Sequence, residues 1–244
     1  GGGMKTFDYL RPKEVKDVSK ILLEHAGKAK LIAGGTDLLV ALFQKKQQTP
    51  EYLVSLRDVP GLRSIREEKG QGLIIGAMTT LREIERSDLI KEKYPVLSKS
   101  AGMVASVQIR NMATLAGNLC NAAPSADMAP PLICLDAKVR LRGPGGERMV
   151  SLERFFVGPG QTALKDSEWM MEIIVPHMEK GRKATYMKIE RSAMDIAVVG
   201  VGAGITKENG ENRSKDVRIV LGAVSPVPLR ALRSEVVLEG KSLE

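Results

Sequence analysis

Two cysteines, two histidines and one tryptophan are all that 244 residues supply of the side chains that most often build metal centres and stacking sites. An iron–sulfur cluster normally takes four thiolates, so Cys120 and Cys134 cannot hold one within this chain. They read as small apolar packing residues rather than a disulfide. His25 and His177 offer no zinc or non-haem iron constellation. Aromatic residues amount to 4%, too few for the stacking platforms of a single-strand-binding protein. The net charge is +8, but lysines and arginines are scattered among acids along the whole chain. No nucleic-acid partner is expected. Docking onto acidic partner subunits, or a surface rich in ion pairs, accounts for the balance. No apolar run approaches the ~20 residues that span a bilayer. Gly1-Gly2-Gly3 ahead of Met4 reads as an expression scar. Residues 4–9 lack an apolar signal core, which predicts a cytoplasmic location.

What the chain does contain is periodicity in three stretches. Residues 4–58 predict a β-α-β unit. A helix over 12–27 has Val15, Val18, Ile21, Leu22 and His25 on one face, with Pro12 in its first turn and Gly27 at its end. His25 is read as a packing residue. Strands at 30–33 and 52–56 flank a helix at 37–43. Residues 59–178 predict strands at 62–66 and 72–78, then a helix opened by a Thr80/Glu83 capping box. Helices at 94–105 and 127–135 follow, the latter with Pro130 and Pro131 in its first turn. A hairpin turns at Gly143-Pro144-Gly145-Gly146, and a strand over 169–175 closes the unit. Residues 179–244 predict strands at 184–190, 196–205 and 216–223, with an Asn209-Gly210 turn between the last two. Gly200, Gly202 and Gly204 imitate a dinucleotide fingerprint. The third glycine comes one place early and no helix follows, so a glycine-rich packed strand is expected instead.

Two segments poor in side chains carry the chemistry. Both read as small-residue loops beside apolar, strand-like runs: the first is Leu31-Ile32-Ala33-Gly34-Gly35-Thr36-Asp37-Leu38, and the second is Thr114-Leu115-Ala116-Gly117-Asn118. Glycine lets backbone approach an anion closely and permits positive φ. Successive N–H groups beside a helix start oppose phosphate charge. A pair of such segments suits a ligand with a long diphosphate body. Around them lie Gln108-Ile109-Arg110-Asn111, Pro124-Ser125-Ala126-Asp127, Leu135-Asp136-Ala137, Tyr186-Met187-Lys188 with Arg191 and Asp195, and Pro228-Leu229-Arg230-Ala231.

In order and spacing this set resembles the FAD-binding, or medium, subunit of molybdenum hydroxylases, the xanthine dehydrogenase and carbon monoxide dehydrogenase flavoprotein family. The resemblance implies an α+β protein: a two-subdomain FAD-binding fold of the vanillyl-alcohol-oxidase/PCMH-like type, plus a C-terminal α/β domain. Past Arg230 to Gly240 the family continues with further helices, so a shortened C-terminal domain with exposed apolar surface is expected here. The implied cofactor is FAD, with Leu31 to Leu38 along its diphosphate and ribityl chain. Thr114, Ala116, Gly117 and Asn118 form the second contact; Ala116 departs from the family's usual glycine there. Asp127 would accept from a cofactor hydroxyl, and it is also placed to cap a helix. Lys188 would lie beside the isoalloxazine ring, the alternative being a solvated lysine on an edge strand. Val104 and Met171 are candidates for ring or adenine contacts, with core packing as the alternative. Arg191 and Asp195 are read as an ion pair or a partner contact. No catalytic side chain and no metal ligand is assigned, since the flavin carries the chemistry. The implied partners are a large subunit with the molybdenum cofactor, a small subunit with [2Fe–2S] centres, and NAD⁺ or another acceptor. Competing readings are a stand-alone flavin oxidase of the vanillyl-alcohol type and a non-redox module binding another phosphate ligand.

Overall fold

The computed structural model describes residues 6–190, 192, 198–208 and 210–243. Arg191 and Asp195 lie outside the described residues, as does Asn209. The chain opens with β1 (Asp8–Leu10), α1 (Val15–Glu24), β2 (Ala29–Ile32), α2 (Leu38–Phe43) and β3 (Tyr52–Ser55). The strands form a parallel sheet in the order β1-β3-β2. Parallel neighbours require crossovers, and the two helices supply them. α1 begins three residues after Pro12, so that proline precedes the helix instead of occupying its first turn. Gly27 takes φ +75° just past the helix end, a conformation glycine adopts without steric cost. His25 stacks on Tyr52 with ring centroids 3.9 Å apart, a packing role.

The second stretch runs β4 (Ile65–Glu68), β5 (Gly72–Gly76), α3 (Leu81–Arg86), α4 (Asp88–Lys93), α5 (Pro95–Gly102), α6 (Val107–Arg110), α7 (Leu115–Asn121) and α8 (Ala129–Cys134). It continues with β6 (Lys138–Gly143), β7 (Gly146–Ser151), α9 (Leu152–Phe155), β8 (Phe156–Gly158), β9 (Gln161–Thr162) and β10 (Trp169–Val175). Five of these strands form an antiparallel sheet, β4-β5-β10-β6-β7. One face is covered by the helices, with Leu73, Ile75, Leu81, Ile84, Leu97, Leu115, Leu132 and Ile173 fully or almost fully buried between the layers. The other carries an ion ladder: Glu172 takes Arg66 at 3.2 Å and Arg140 at 2.9 Å, and Arg140 reaches Glu147 at 3.4 Å. The Thr80/Glu83 capping box is present. The expected helix over 94–105 is shorter, since the chain turns at Ala105 (φ +45°) and starts α6 afresh on Ser106.

A smaller core joins this sheet to the first unit. Val18 and Leu22 of α1 pack with Leu56, Val59, Leu62 and Trp169. Trp169 Nε1 donates to Ser19 Oγ at 3.1 Å, which satisfies a polar atom that burial would otherwise penalise.

The last sheet is antiparallel, β11 (Arg182–Ile189), β12 (Val199–Lys207), β13 (Ser214–Gly222) and β14 (Leu229–Arg230), with α10 (Leu232–Leu238) against β13. Its glycines are a packing surface, as the sequence suggests. A Cβ at Gly202 would sit 3.0 Å from Pro130 O and 3.1 Å from Cys134 Sγ, and one at Gly222 would meet the Pro130 ring at 3.0 Å. Bare backbone therefore lets α8 settle onto β12 and β13. Arg182 strengthens that seam by donating to the Cys134 carbonyl at 2.7 Å. Outward, Met187, Ile189, Leu232, Val236 and Val237 are exposed, in keeping with the apolar surface expected on this unit. No helix among the described residues is long and apolar enough to cross a membrane.

Candidate functional site

The first side-chain-poor segment leaves β2 at Ile32 and enters α2 at Leu38. Residues Leu31 to Thr36 and Leu38 are half-buried, while Asp37 is exposed. Gly35 takes φ +76°, so the turn needs glycine for its conformation. Gly34 is needed for a different reason. A Cβ there would lie 2.1 Å from the Met112 carbonyl oxygen and 3.1 Å from the Ala113 Cα. The first segment thus lies directly against the residues that lead into the second.

That second segment is a helix start, and here the expectation of a loop is corrected. Thr114 is the N-cap of α7, with its Oγ1 accepting from the Gly117 N–H at 3.1 Å and its carbonyl from the Asn118 N–H at 3.0 Å. Ala116, Gly117 and Asn118 lie inside the helix. The cap is fixed from outside as well. Leu115 N–H donates to the Thr79 carbonyl at 3.0 Å, and Leu81 N–H to the Ala113 carbonyl at 2.9 Å. Thr114 and Ala116 are buried, Gly117 and Asn118 half-buried. Asn118 Oδ1 is buried and takes no hydrogen bond from any described residue. A buried amide oxygen without a donor is costly, on the order of 1–3 kcal/mol, and is an acceptor waiting for a ligand hydroxyl or N–H.

Asp127 departs from one of its two expected roles. Met128 is the N-cap of α8, without a side-chain cap bond, and Asp127 turns instead toward the last sheet. Its Oδ1 accepts from Tyr186 Oη at 2.7 Å and its Oδ2 from Lys188 Nζ at 3.1 Å. Lys188 also donates to the Met103 carbonyl at 2.9 Å and lies 3.1 Å from Glu190. Its side chain is only 8% exposed, so the alternative of a solvated lysine is overturned, although β11 is an edge strand. A lysine so enclosed keeps its place through its charge partners and the carbonyl. Tyr186 belongs to this cluster and was not among the sequence candidates. The signal was the Tyr-x-Lys spacing, which puts both side chains on one face of a strand. Burial, with the Asp127 carboxylate beside it, raises the Tyr186 phenol above its ordinary range, so it remains a donor. Gly200 makes room: a Cβ there would fall 2.7 Å from the Tyr186 hydroxyl.

Val104 is half-buried against the larger core, and its carbonyl accepts from Arg110. Met171 sits at a bulge of β10, between Met170 and Glu172, and packs with Leu31 and Met78 against the smaller core. Both pack partly buried against a core. The cysteines are free; Cys134 is buried and Cys120 packs partly buried against the core. Burial pushes both thiols up to about 12, which leaves them unreactive at neutral pH. Among the described residues no group of three or more His, Cys, Asp or Glu side chains is placed to hold a metal ion.

A parallel three-stranded unit seated on an antiparallel sheet, with two adjoining glycine-bearing segments between them, defines a two-part nucleotide-binding fold. The comparisons identify it. Residues 5–178 match the family described as FAD binding domain in molybdopterin dehydrogenase, and residues 184–244 match the CO dehydrogenase flavoprotein C-terminal domain. The carbon monoxide dehydrogenase medium chain of Hydrogenophaga pseudoflava is 35% identical over 97% of this chain and 81% of its own length. The xanthine dehydrogenase FAD-binding subunit of Escherichia coli O157:H7 is 32% identical over 93% of this chain and 77% of its own. Among solved structures, carbon monoxide dehydrogenase from Hydrogenophaga pseudoflava superposes with a TM-score of 0.94 at 33% identity, over 100% of this chain and 83% of that one. Quinoline 2-oxidoreductase from Pseudomonas putida 86 gives 0.91 at 29% identity, with the same coverage. This chain belongs to the family of FAD-binding subunits of molybdenum hydroxylases, and FAD is its cofactor.

Proposed function

We propose that this chain is the electron-relay subunit of a molybdenum hydroxylase complex. It would take electrons from [2Fe–2S] centres of a small partner subunit and pass them through FAD to NAD⁺ or another acceptor. The substrate would be oxidised at a molybdenum cofactor on a large subunit. The observation that carries the reading is the close packing of Gly34, in the first segment, against Met112 and Ala113, which lead directly into the second. That packing supports a cofactor cradle shared between two lobes of the chain. We assign residues 4–58 and 59–178 as those lobes and 179–244 as the C-terminal domain.

FAD supplies reversible two-electron chemistry when bound; the protein supplies placement and electrostatics. Leu31 to Leu38 and Thr114, Ala116 and Gly117 would hold the diphosphate and its sugar chains. Asn118 Oδ1, which takes no hydrogen bond from the described residues, would accept from a cofactor hydroxyl or N–H. Asp127 keeps lone pairs beyond those used by Tyr186 and Lys188, so it too can accept from a cofactor hydroxyl. Lys188 would set a positive charge beside the ring system and favour its reduced, more negative form. Val104 and Met171 would line the apolar walls.

Reconstitution tests this directly. The purified chain is expected to take up FAD in a one-to-one ratio, seen as flavin absorbance that survives gel filtration. Co-purification with the native partners should return molybdenum, iron and flavin together. A chain that stays colourless after refolding with excess FAD, or native material without molybdenum, would defeat the reading.

A further inference from the structure

The geometry points to Arg110 as the positioning residue that holds the two sides of the cofactor cradle in register. This rests on the FAD site proposed above. Arg110 is 8% exposed, and its guanidinium ties α6 to the turn after α5 and to α3. Nη1 donates to the carbonyls of Val104 at 3.0 Å and Ala105 at 2.9 Å, and Nε donates to Glu85 at 3.2 Å. Both carbonyls belong to the sharp turn that ends α5, where Ala105 sits at φ +45°. A non-glycine residue in the left-handed region persists when its surroundings hold it there. Arg110 provides that hold.

Each end of what Arg110 ties leads to the cradle. On one side, Met103 immediately precedes the clamped turn, and its carbonyl accepts from Lys188. On the other, α6 ends at Arg110, and the chain runs through Met112, whose carbonyl meets Gly34, into the Thr114 cap. One planar guanidinium therefore fixes the Lys188 anchor relative to the seam between the segments. A lysine can keep the charge but cannot fork between two carbonyls and a carboxylate. Glu85 has a second partner in Arg82 at 2.8 Å, so losing Arg110 does not strand its charge.

The test compares FAD dissociation constants and apo-protein melting for the wild type, Arg110→Met, Arg110→Lys and Glu85→Gln. Arg110→Met is expected to weaken FAD by about ten- to a hundredfold, the usual scale for a residue that orients contacting groups. Arg110→Lys should fall between it and the wild type. Glu85→Gln should bind within about threefold of wild type, a free-energy change below ~0.7 kcal/mol, because the clamped carbonyls are untouched. Wild-type affinity in Arg110→Met, or an equal loss in Glu85→Gln, would overturn the proposal. If Arg110→Met fails to fold, Arg110→Lys decides: weaker FAD at unchanged melting supports the role, and unchanged affinity removes it. Failure of the wild type to take up FAD would refute the site itself, a result separable from any effect of these variants.

Discussion

The two glycine-bearing segments differ in how completely the protein has already built them. At Thr114 the cap residue is 2% exposed and its side chain, carbonyl and flanking backbone are all engaged by protein partners. The segment at 31–38 is half-buried at most of its positions. It opens into a six-residue helix whose Leu39, Val40 and Phe43 are 42%, 50% and 81% exposed. In the cradle proposed above, one side is held by protein bonds at Thr114 and the other meets the residues leading into it through Gly34. A preformed side lowers the ordering cost of binding, and a less constrained side can close on what it holds. Substitutions in the leaning segment should therefore change binding through the seam, and those in the capped segment through local helix energetics.

Gly34→Ala should have the largest effect. Its Cβ would collide with a backbone carbonyl, which cannot rotate aside as a flexible side-chain tip can. Overpacking of this kind costs about 1–3 kcal/mol. Displacing the seam by ~1 Å should weaken FAD on the order of a hundredfold. Calorimetric melting of the apo-protein and flavin titration check both. Native-like values for the pair would show that the segments do not depend on each other.

Gly35→Ala comes next. Here φ is +76° and the nearest atoms are side-chain carbons of Ile32 and Leu39 at 3.1 Å. The left-handed conformation costs an L-residue roughly 1–2 kcal/mol, and the neighbouring methyl groups can shift a few tenths of an ångström. A loss of about that size in urea-monitored stability is expected, with FAD weakened less than in Gly34→Ala. If Gly35→Ala proved the more damaging, conformation rather than contact would dominate the first segment.

On the capped side, Thr114→Ala removes the acceptor for the Gly117 N–H and should destabilise the apo-protein by about 1 kcal/mol. Thr114→Ser keeps the oxygen and should recover most of that. Equal losses in the two variants would mean that the methyl group, not the cap, holds the helix start.

How far sequence reading reached follows the range of the interactions. The capping box at Thr80 and the hairpin about Gly143 depend on neighbours within a few residues, and both were legible. So was the packed glycine strand, because a misplaced third glycine and a missing helix are local facts. The second segment reads as a loop in the sequence because Leu-Ala-Gly-Asn contains two weak helix formers, while the bonds to Thr79 and from Leu81 that fix it as a helix start involve a distant turn. The turn of Asp127 away from its helix was hidden for the same reason. Its partner Tyr186 lies 59 residues on, and the space that lets them meet is created by a bare Gly200 on the adjacent strand. Family resemblance supplied Lys188; only the packed sheet and helix reveal that it is enclosed.

Gly117→Ala should have the smallest effect on the fold and gives the sharpest reading of the comparison. Gly117 sits in helical backbone, where alanine is favoured by about 0.8–1.0 kcal/mol. Against that, the new Cβ would lie 3.0 Å from the Thr114 hydroxyl oxygen, tight enough to strain the cap bond. The two terms oppose, and apo stability should stay within about 0.5 kcal/mol of wild type. Binding need not follow stability. If bare backbone at Gly117 lets the diphosphate approach, a methyl group there should weaken FAD about tenfold while the melting curve hardly moves, a separation Gly34→Ala cannot produce. Unchanged affinity would instead show that the second segment serves the cofactor through Asn118 and the Thr114 cap, with Gly117 present only to fit beneath the cap hydroxyl.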